Sequence, residues 1–167
     1  RTEYERDRPD MWRFWQALPP KGHIGILFGS WYTDPVLSRV VGRERRAEFE
    51  LQLESIRHFE RMLVAEGAVL VKLWFHLSKR AQKKRLEELS SSKKTSWRVT
   101  KDDWRGYERF EEYERVSARV LSATSTEDAP WTLIDGSDKH RRALSVGETL
   151  LAAMKRRLDA KDTEPKA

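Results

Sequence analysis

The sequence predicts an α/β fold, a parallel sheet with helices on both of its faces. Three observations predict it. Residues 23–28, 68–77 and 131–134 are short apolar runs without polar alternation, the pattern of strands covered on both sides. Longer segments with apolar residues at steps of three and four separate them, which is the helical period. A chain of 167 residues is also long enough for one domain with a core.

Taken in order, Pro9 suits the first turn of a helix, where its missing N–H costs nothing. Met11, Trp12, Phe14, Trp15 and Leu18 then form a short apolar helix that Pro19-Pro20 ends. Lys21-Gly22 is a turn, and residues 23–28 are the first strand. Residues 29–34 form a loop, and Pro35 opens a short helix to Val41. Residues 44–65 give the clearest helix, with Phe49, Leu53, Ile56, Phe59 and Leu63 as one buried stripe. Gly67 stands where a left-handed helix terminus wants glycine.

Residues 68–77 are the second strand. Ser78 caps the helix that follows, to about Leu89. Residues 90–96 are a polar loop. Thr100 then resembles an N-cap, with Asp103 at the capping-box position. A long charged helix is expected over 102–122, broken at Gly106. Residues 131–134 are the third strand, 138–158 the last helix, and 159–167 a disordered tail.

Composition removes several function classes. Hydrophobic residues make up 38% and charged residues 36%, and the apolar ones are grouped periodically, so the chain is not disordered as a whole. The absence of cysteine excludes disulfides, thiolate metal sites and a cysteine nucleophile, and fits the cytoplasm. No run approaches the roughly 18 apolar residues of a membrane span. The charged first residues give no signal-peptide pattern. The chain starts at Arg1 within a polar segment, as expected of a piece of something longer. His23, His58, His76 and His140 show no metal spacing, and no Ser/His/Asp motif occurs.

The net charge of +6 is local. Residues 79–105 hold ten basic and four acidic residues. That field suits a polyanion, whether nucleic acid, polyphosphate or nucleotide phosphates; the alternative is a solvated charged helix. Seven tryptophans with basic neighbours would suit stacking on single strands. Most of them lie in apolar runs, which favours core packing over specific nucleic-acid binding.

Parallel strands bind ligands beyond their carboxyl ends. Residues 29–34, 77–79 and 135–139 fall there. A phosphate-handling α/β protein would carry a metal-holding acid at the end of its first strand. Phe28 and Gly29 take that place.

Longer motifs carry a resemblance. They are Arg6-x-Arg8-Pro9-x-x-Trp12-Arg13-Phe14-Trp15, Leu18-Pro19-x-x-Gly22, Ser30-Trp31-Tyr32 and Arg39-Val40-x-Gly42, followed by Phe59-Glu60, Leu63-Val64 and Gly67. Further on come Lys72-x-Trp74-x-His76-x-Ser78-Lys79-x-x-Gln82, Trp97-x-x-Thr100-x-x-Asp103-Trp104-Arg105, Thr124-x-Thr126-x-x-Ala129-Pro130-Trp131 and Asp138-Lys139. In order and spacing, from about Glu5 to Leu158, this resembles the polyphosphate kinase 2 family, including polyphosphate:AMP phosphotransferases.

The resemblance implies a P-loop kinase-like three-layer α/β/α fold over residues 1–158, with a helical lid at about 79–122. Such proteins move a phosphoryl group between inorganic polyphosphate and AMP or ADP with Mg²⁺, by positioning and charge neutralisation. It also implies a partner, either a second domain of the same family or another copy of the chain, and no membrane. Arg8, Arg13, Ser30, Trp31, Tyr32, Asp138 and Lys139 would contact nucleotide or phosphate, and Lys93, Lys94, Trp97, Arg98 and Asp103 would serve the polyphosphate lid. Each has a plainer reading. Ser30, Trp31 and Tyr32 would pack under a loop. Arg8 and Arg13 would pair with acids. Lys93, Lys94 and Arg98 would be solvated. Asp138 and Asp103 would cap helices, and Lys72 would be a buried, paired lysine.

The sequence departs from the family pattern where the chemistry is concentrated. The family's phosphate-binding loop lies before residue 1, and no G-x-x-x-x-G-K stretch occurs. The family's Asp-Arg-Ser-Trp-Tyr falls on Phe28-Gly29-Ser30-Trp31-Tyr32, so the metal-holding acid and its adjacent arginine are missing. A further arginine falls on Asp34, a basic pair on Thr95-Ser96, and a lid arginine on Tyr107. No residue is therefore assigned to catalysis or to metal, and Mg²⁺ would be poorly held. The expectation is the degenerate first copy of a tandem enzyme, impaired in transfer; the alternative is a non-catalytic domain that scaffolds, dimerises or binds polyphosphate.

Overall fold

In the computed structural model, the backbone is described for residues 2–163 and the side chains for residues 2–159. They group into two compact units, Arg1–Phe59 and Glu60–Ala167.

The first unit is helical. α1 (Glu3–Arg6) opens on a capping box between Thr2 and Glu5. α2 (Trp12–Ala17) ends as Leu18 turns extended before the two prolines. A 3₁₀ turn over Ser30–Tyr32 leads into α3 (Thr33–Val40). α4 (Arg46–Ala65) continues into the second unit. Its stripe is buried as the period requires: Phe49, Leu53, Ile56, Phe59 and Leu63 are each at most 6% exposed. Gly67 stops it at φ 86°, with its N–H bonded to the Val64 carbonyl and that of Ala68 to the Leu63 carbonyl.

The second unit holds the sheet. β1 (Lys72–His76) and β2 (Trp131–Asp135) pair in parallel, Lys72 opposite Trp131 and His76 opposite Asp135. α5 (Lys79–Ser91), a 3₁₀ turn over Ser96–Arg98, α6 (Lys101–Glu108) and α7 (Phe110–Thr124) connect the strands. α8 (Lys139–Thr163) follows β2 and packs on it. The fold class is therefore mixed α/β with a parallel sheet, mostly helical.

One predicted strand is absent. Residues 23–28 have no strand partner among the described residues. Ile24 is 82%, Ile26 90% and Phe28 fully exposed. A strand is held by its ladder, and without a neighbour its N–H and C=O groups turn to water. The remaining corrections concern boundaries. The second strand is confined to Lys72–His76. The break in the long lid helix falls at Arg109, where φ −98° and ψ 22° leave the helical region, and not at Gly106. α8 runs on through 159–163, which were expected to be a tail; the other tail residues, 164–167, lie outside the described part.

Candidate functional site

In the first unit, the chain leaves the exposed run 23–28 through two consecutive left-handed residues, Gly29 (φ 73°) and Ser30 (φ 56°). Only the first is glycine. A Cβ at Gly29 would stand 2.2 Å from Thr33 Oγ1, so the tight turn into α3 wants glycine there. The turn buries Trp31 and Tyr32. Trp31 meets Phe14 and Phe59 edge-on, with centroids 5.6 Å and 5.0 Å away. Trp31 and Tyr32 are both buried, 7% and 6% exposed. Ser30 Oγ is buried without a hydrogen-bond partner, an orphan of the kind that asks for an explanation.

Arg13, on α2, holds its guanidinium carbon over the Phe14 ring at 4.6 Å and donates from Nη2 to Asp34 Oδ2 at 2.8 Å. Its Nε is buried and unbonded. Asp10, Arg13, Phe14, Trp31, Asp34 and Ile56 line a cavity of about 20 Å³, room for one water and not for a nucleotide. The structure therefore brings Arg13 together with Trp31 and Asp34. Arg8 is elsewhere, donating to Tyr4 Oη at 3.2 Å and sitting 4.8 Å from that ring and 5.6 Å from Trp12.

In the second unit, the carboxyl ends of β1 and β2 are tied by a bond from the Gly136 N–H to the His76 carbonyl, 2.8 Å. A Cβ on Gly136 would press on that carbonyl at 3.0 Å. Asp135 accepts the Ser137 N–H at 2.8 Å, and its hydrogen bonds with Ser137 hold its carboxyl below the usual range. Asp138 is the N-cap of α8, its Oδ1 accepting the Arg141 N–H at 2.7 Å. Lys139, the first residue of that helix, is exposed.

The lid residues sit on one exposed turn. Trp97 is 76% exposed, and its Nε1–H donates to the Lys94 carbonyl at 3.0 Å, which pins the turn. Thr95 Oγ1 donates back to the Leu89 carbonyl at 2.8 Å. Lys93 and Lys94 are exposed, and the Arg98 guanidinium stands 6.0 Å from the Trp97 ring. An exposed tryptophan with Lys93, Lys94 and Arg98 on the same turn suits a flexible polyanion. Asp103 does different work: with Thr100 it closes the capping box of α6 at 2.7 Å, and those bonds lower its pKa. Lys79, at the start of α5, pairs with Glu111.

Lys72 is the buried, paired lysine. Its Nζ donates to Glu60 Oε2 at 2.7 Å and to the Thr124 carbonyl at 2.6 Å, 5.2 Å from the Trp131 ring. Burial lowers its pKa, and the hydrogen bond to Glu60 partly restores it.

Sequence reasoning missed two partners. Asp34 was read only as a lost arginine, yet it holds Arg13 from 21 positions away. Glu60 was read only as part of a motif, and the signal available was an acid in the buried stripe of α4 next to Phe59. The Mg²⁺ implied by the resemblance does not fit the end of residues 23–28. Phe28 and Gly29 offer no side-chain oxygen, and the Asp34 carboxylate is engaged by Arg13. A magnesium ion wants a nearly complete oxygen shell. Among the described residues no three His, Cys, Asp or Glu are grouped to hold a metal ion.

Comparison with known proteins bears on this arrangement. A model of the family described as Polyphosphate kinase 2 matches residues 1–162. A polyphosphate:AMP phosphotransferase of Pseudomonas aeruginosa is 41% identical over 161 residues, covering 96% of this chain and 32% of that protein. An AMP/ADP-polyphosphate phosphotransferase of Meiothermus ruber is 31% identical over 153 residues, covering 92% of this chain and 57% of that protein. The crystal structure of Polyphosphate Kinase 2 from Arthrobacter aurescens TC1 superimposes with a TM-score of 0.89 at 29% identity, over all of this chain and 58% of that one. The chain thus spans about a third to just over half the length of these relatives.

Proposed function

This chain belongs to the polyphosphate kinase 2 family, and from that premise we propose that it is a polyphosphate- and nucleotide-handling domain of a phosphotransferase, impaired in transfer. The observation that carries the proposal is the family match over residues 1–162. The substrate class is inorganic polyphosphate with AMP or ADP, after the names of the relatives. Lys93, Lys94, Trp97 and Arg98 supply the contact with polyphosphate; no helix among the described residues is long and apolar enough to cross a membrane.

Impairment rests on local chemistry. Phosphoryl transfer develops charge that an enzyme neutralises with fixed groups, each worth on the order of 10²–10³ in rate. At the end of residues 23–28 neither Phe28 nor Gly29 carries a carboxylate, and the nearby Arg13 is already neutralised by Asp34. The tandem reading gains support from length: the Pseudomonas relative is nearly twice as long as the Meiothermus one, which leaves room for a second domain.

A non-catalytic, polyphosphate-binding role is the second reading, and the Arg13–Asp34 pair favours it. Calorimetric titration of this chain with polyphosphate, and with single-stranded RNA of equal charge, tests the substrate class. Tighter binding of polyphosphate, weakened by Lys93→Ala/Arg98→Ala, is expected. Equal affinities that follow salt alone would identify a general polyanion binder and overturn the reading.

A further inference from the structure

Three helices of the second unit meet on one cation. Lys79 opens α5. Its Nζ donates to Glu111 Oε1, in the first turn of α7, at 2.5 Å and across 32 positions of sequence. The same ammonium stands 5.7 Å from the centre of the Tyr107 ring, on α6. Four other ion pairs of this segment, Lys83–Glu87, Lys84–Glu88, Asp102–Arg105 and Glu112–Arg115, each stay within a single helix. The Lys79–Glu111 pair instead fastens the start of α5 to the start of α7.

An anion from outside can undo that fastening. The two side chains are 41% and 68% exposed. An ion pair in water is worth little, because solvent screens it and two long side chains must be held still. Their mutual hydrogen bond raises the pKa of Lys79 and lowers that of Glu111, so both are charged at neutral pH. The Glu111 carboxylate thus gives Lys79 the same kind of charged oxygen that a phosphate would give it.

We propose that Glu111 is an intramolecular competitor for polyphosphate: in the free domain its carboxylate occupies the Lys79 ammonium, and a phosphate of the incoming chain displaces it and unfastens α5 from α7. The exchange is one of ion pairs, with no covalent bond made or broken. The cost of releasing the pair is subtracted from each binding event, so the fastened domain binds more weakly than an unfastened one. This inference rests on the polyphosphate reading given above.

Calorimetric titration with inorganic polyphosphate at several salt concentrations tests it, on the parent, Glu111→Gln, Lys79→Gln and the double variant as one double-mutant cycle. Glu111→Gln keeps the size of the side chain and should tighten binding about two- to fivefold where Lys79 is present. In the Lys79→Gln background the same substitution should change affinity little, since no cation is left to release. Lys79→Gln itself should weaken binding and make log K less steep in log salt by about 0.7, for one phosphate no longer neutralised. Circular dichroism should show the helix content unchanged. Equal tightening by Glu111→Gln in both backgrounds would mean that the carboxylate only repels the polyanion through space, and would overturn the proposal while the polyphosphate reading stands. No tightening in either background would do the same. Failure of both the parent and Glu111→Gln to bind polyphosphate would overturn the reading itself, and the proposal with it.

Discussion

Residues 23–28 and Lys72–His76 are both short apolar runs, yet only the second is a strand. Lys72–His76 lies against Trp131–Asp135 in parallel register, and its first residue is anchored by Glu60 and the Thr124 carbonyl. Among the described residues, 23–28 have no ladder; the His23 N–H bonds back to the Pro20 carbonyl, and a Cβ on Gly25 would meet Pro19 Cδ at 2.9 Å. An apolar run states that a segment will be buried if it can pair. The pairing itself is a tertiary fact, set by the partner's presence and register. The site residues follow the same division. Those beside the ladder are capped and bonded, whereas Ser30 Oγ and Arg13 Nε, beyond the unpaired run, are buried orphans.

The largest expected effect tests the anchor. Glu60→Ala leaves Lys72 charged, buried and short of its acid, and should cost about 3–5 kcal/mol in urea unfolding. In the parent, burial already holds Lys72 below its ordinary value of 10.5, and the variant removes the Glu60 hydrogen bond that partly restores it. The unfolded chain then binds the extra proton, so stability should recover as pH rises towards 10.5. An unaltered urea midpoint would break the comparison by showing that β1 needs no anchor.

A middling effect is expected at the lid. Thr100→Ala removes the N-cap of α6 and should lose about 1 kcal/mol. The Asp103 carboxyl has its pKa lowered by the same box. Its contribution is therefore present above 3.8, the ordinary value, and is lost as pH falls through the lowered one. Thermal melts of the parent and Thr100→Ala should converge on acidification.

Freeing Arg13 sharpens the contrast further. Asp34→Ala releases its guanidinium and should tighten polyphosphate binding by roughly fivefold at most, the worth of a partly exposed ion pair. Calorimetric titration reads it, and weaker binding would assign Asp34 to the ligand. The smallest effect belongs to the unpaired run. Ile26→Asp should shift stability by no more than about 0.5 kcal/mol, whereas Ile134→Asp, at a position 2% exposed, should unfold the sheet.

How much was legible follows from range. The stripe Phe49–Leu53–Ile56–Phe59–Leu63, the Gly67 stop, the Ser78 cap and the Thr100–Asp103 box are local patterns, and all appear as read. The family could be read because its aromatic motifs survive along most of the chain. The Arg13–Asp34 and Lys72–Glu60 pairs were illegible as pairs, since nothing local links positions 21 and 12 apart. The failure at 23–28 has the same origin, because a run cannot announce what it pairs with.

The most direct measurement is polyphosphate-dependent phosphorylation of AMP by this domain with the family's upstream phosphate-binding loop supplied, and by its Phe28→Asp variant, with Mg²⁺ present. Phe28 is fully exposed, so the substitution should leave the fold intact. Gly29→Arg is avoided, because φ 73° and the Thr33 contact would strain it. The account predicts that the parent chain transfers at a level at least about 100-fold below an intact relative, the worth of one missing electrostatic group, and that Phe28→Asp raises any transfer that remains. Transfer by the parent at the relative's full rate would contradict it.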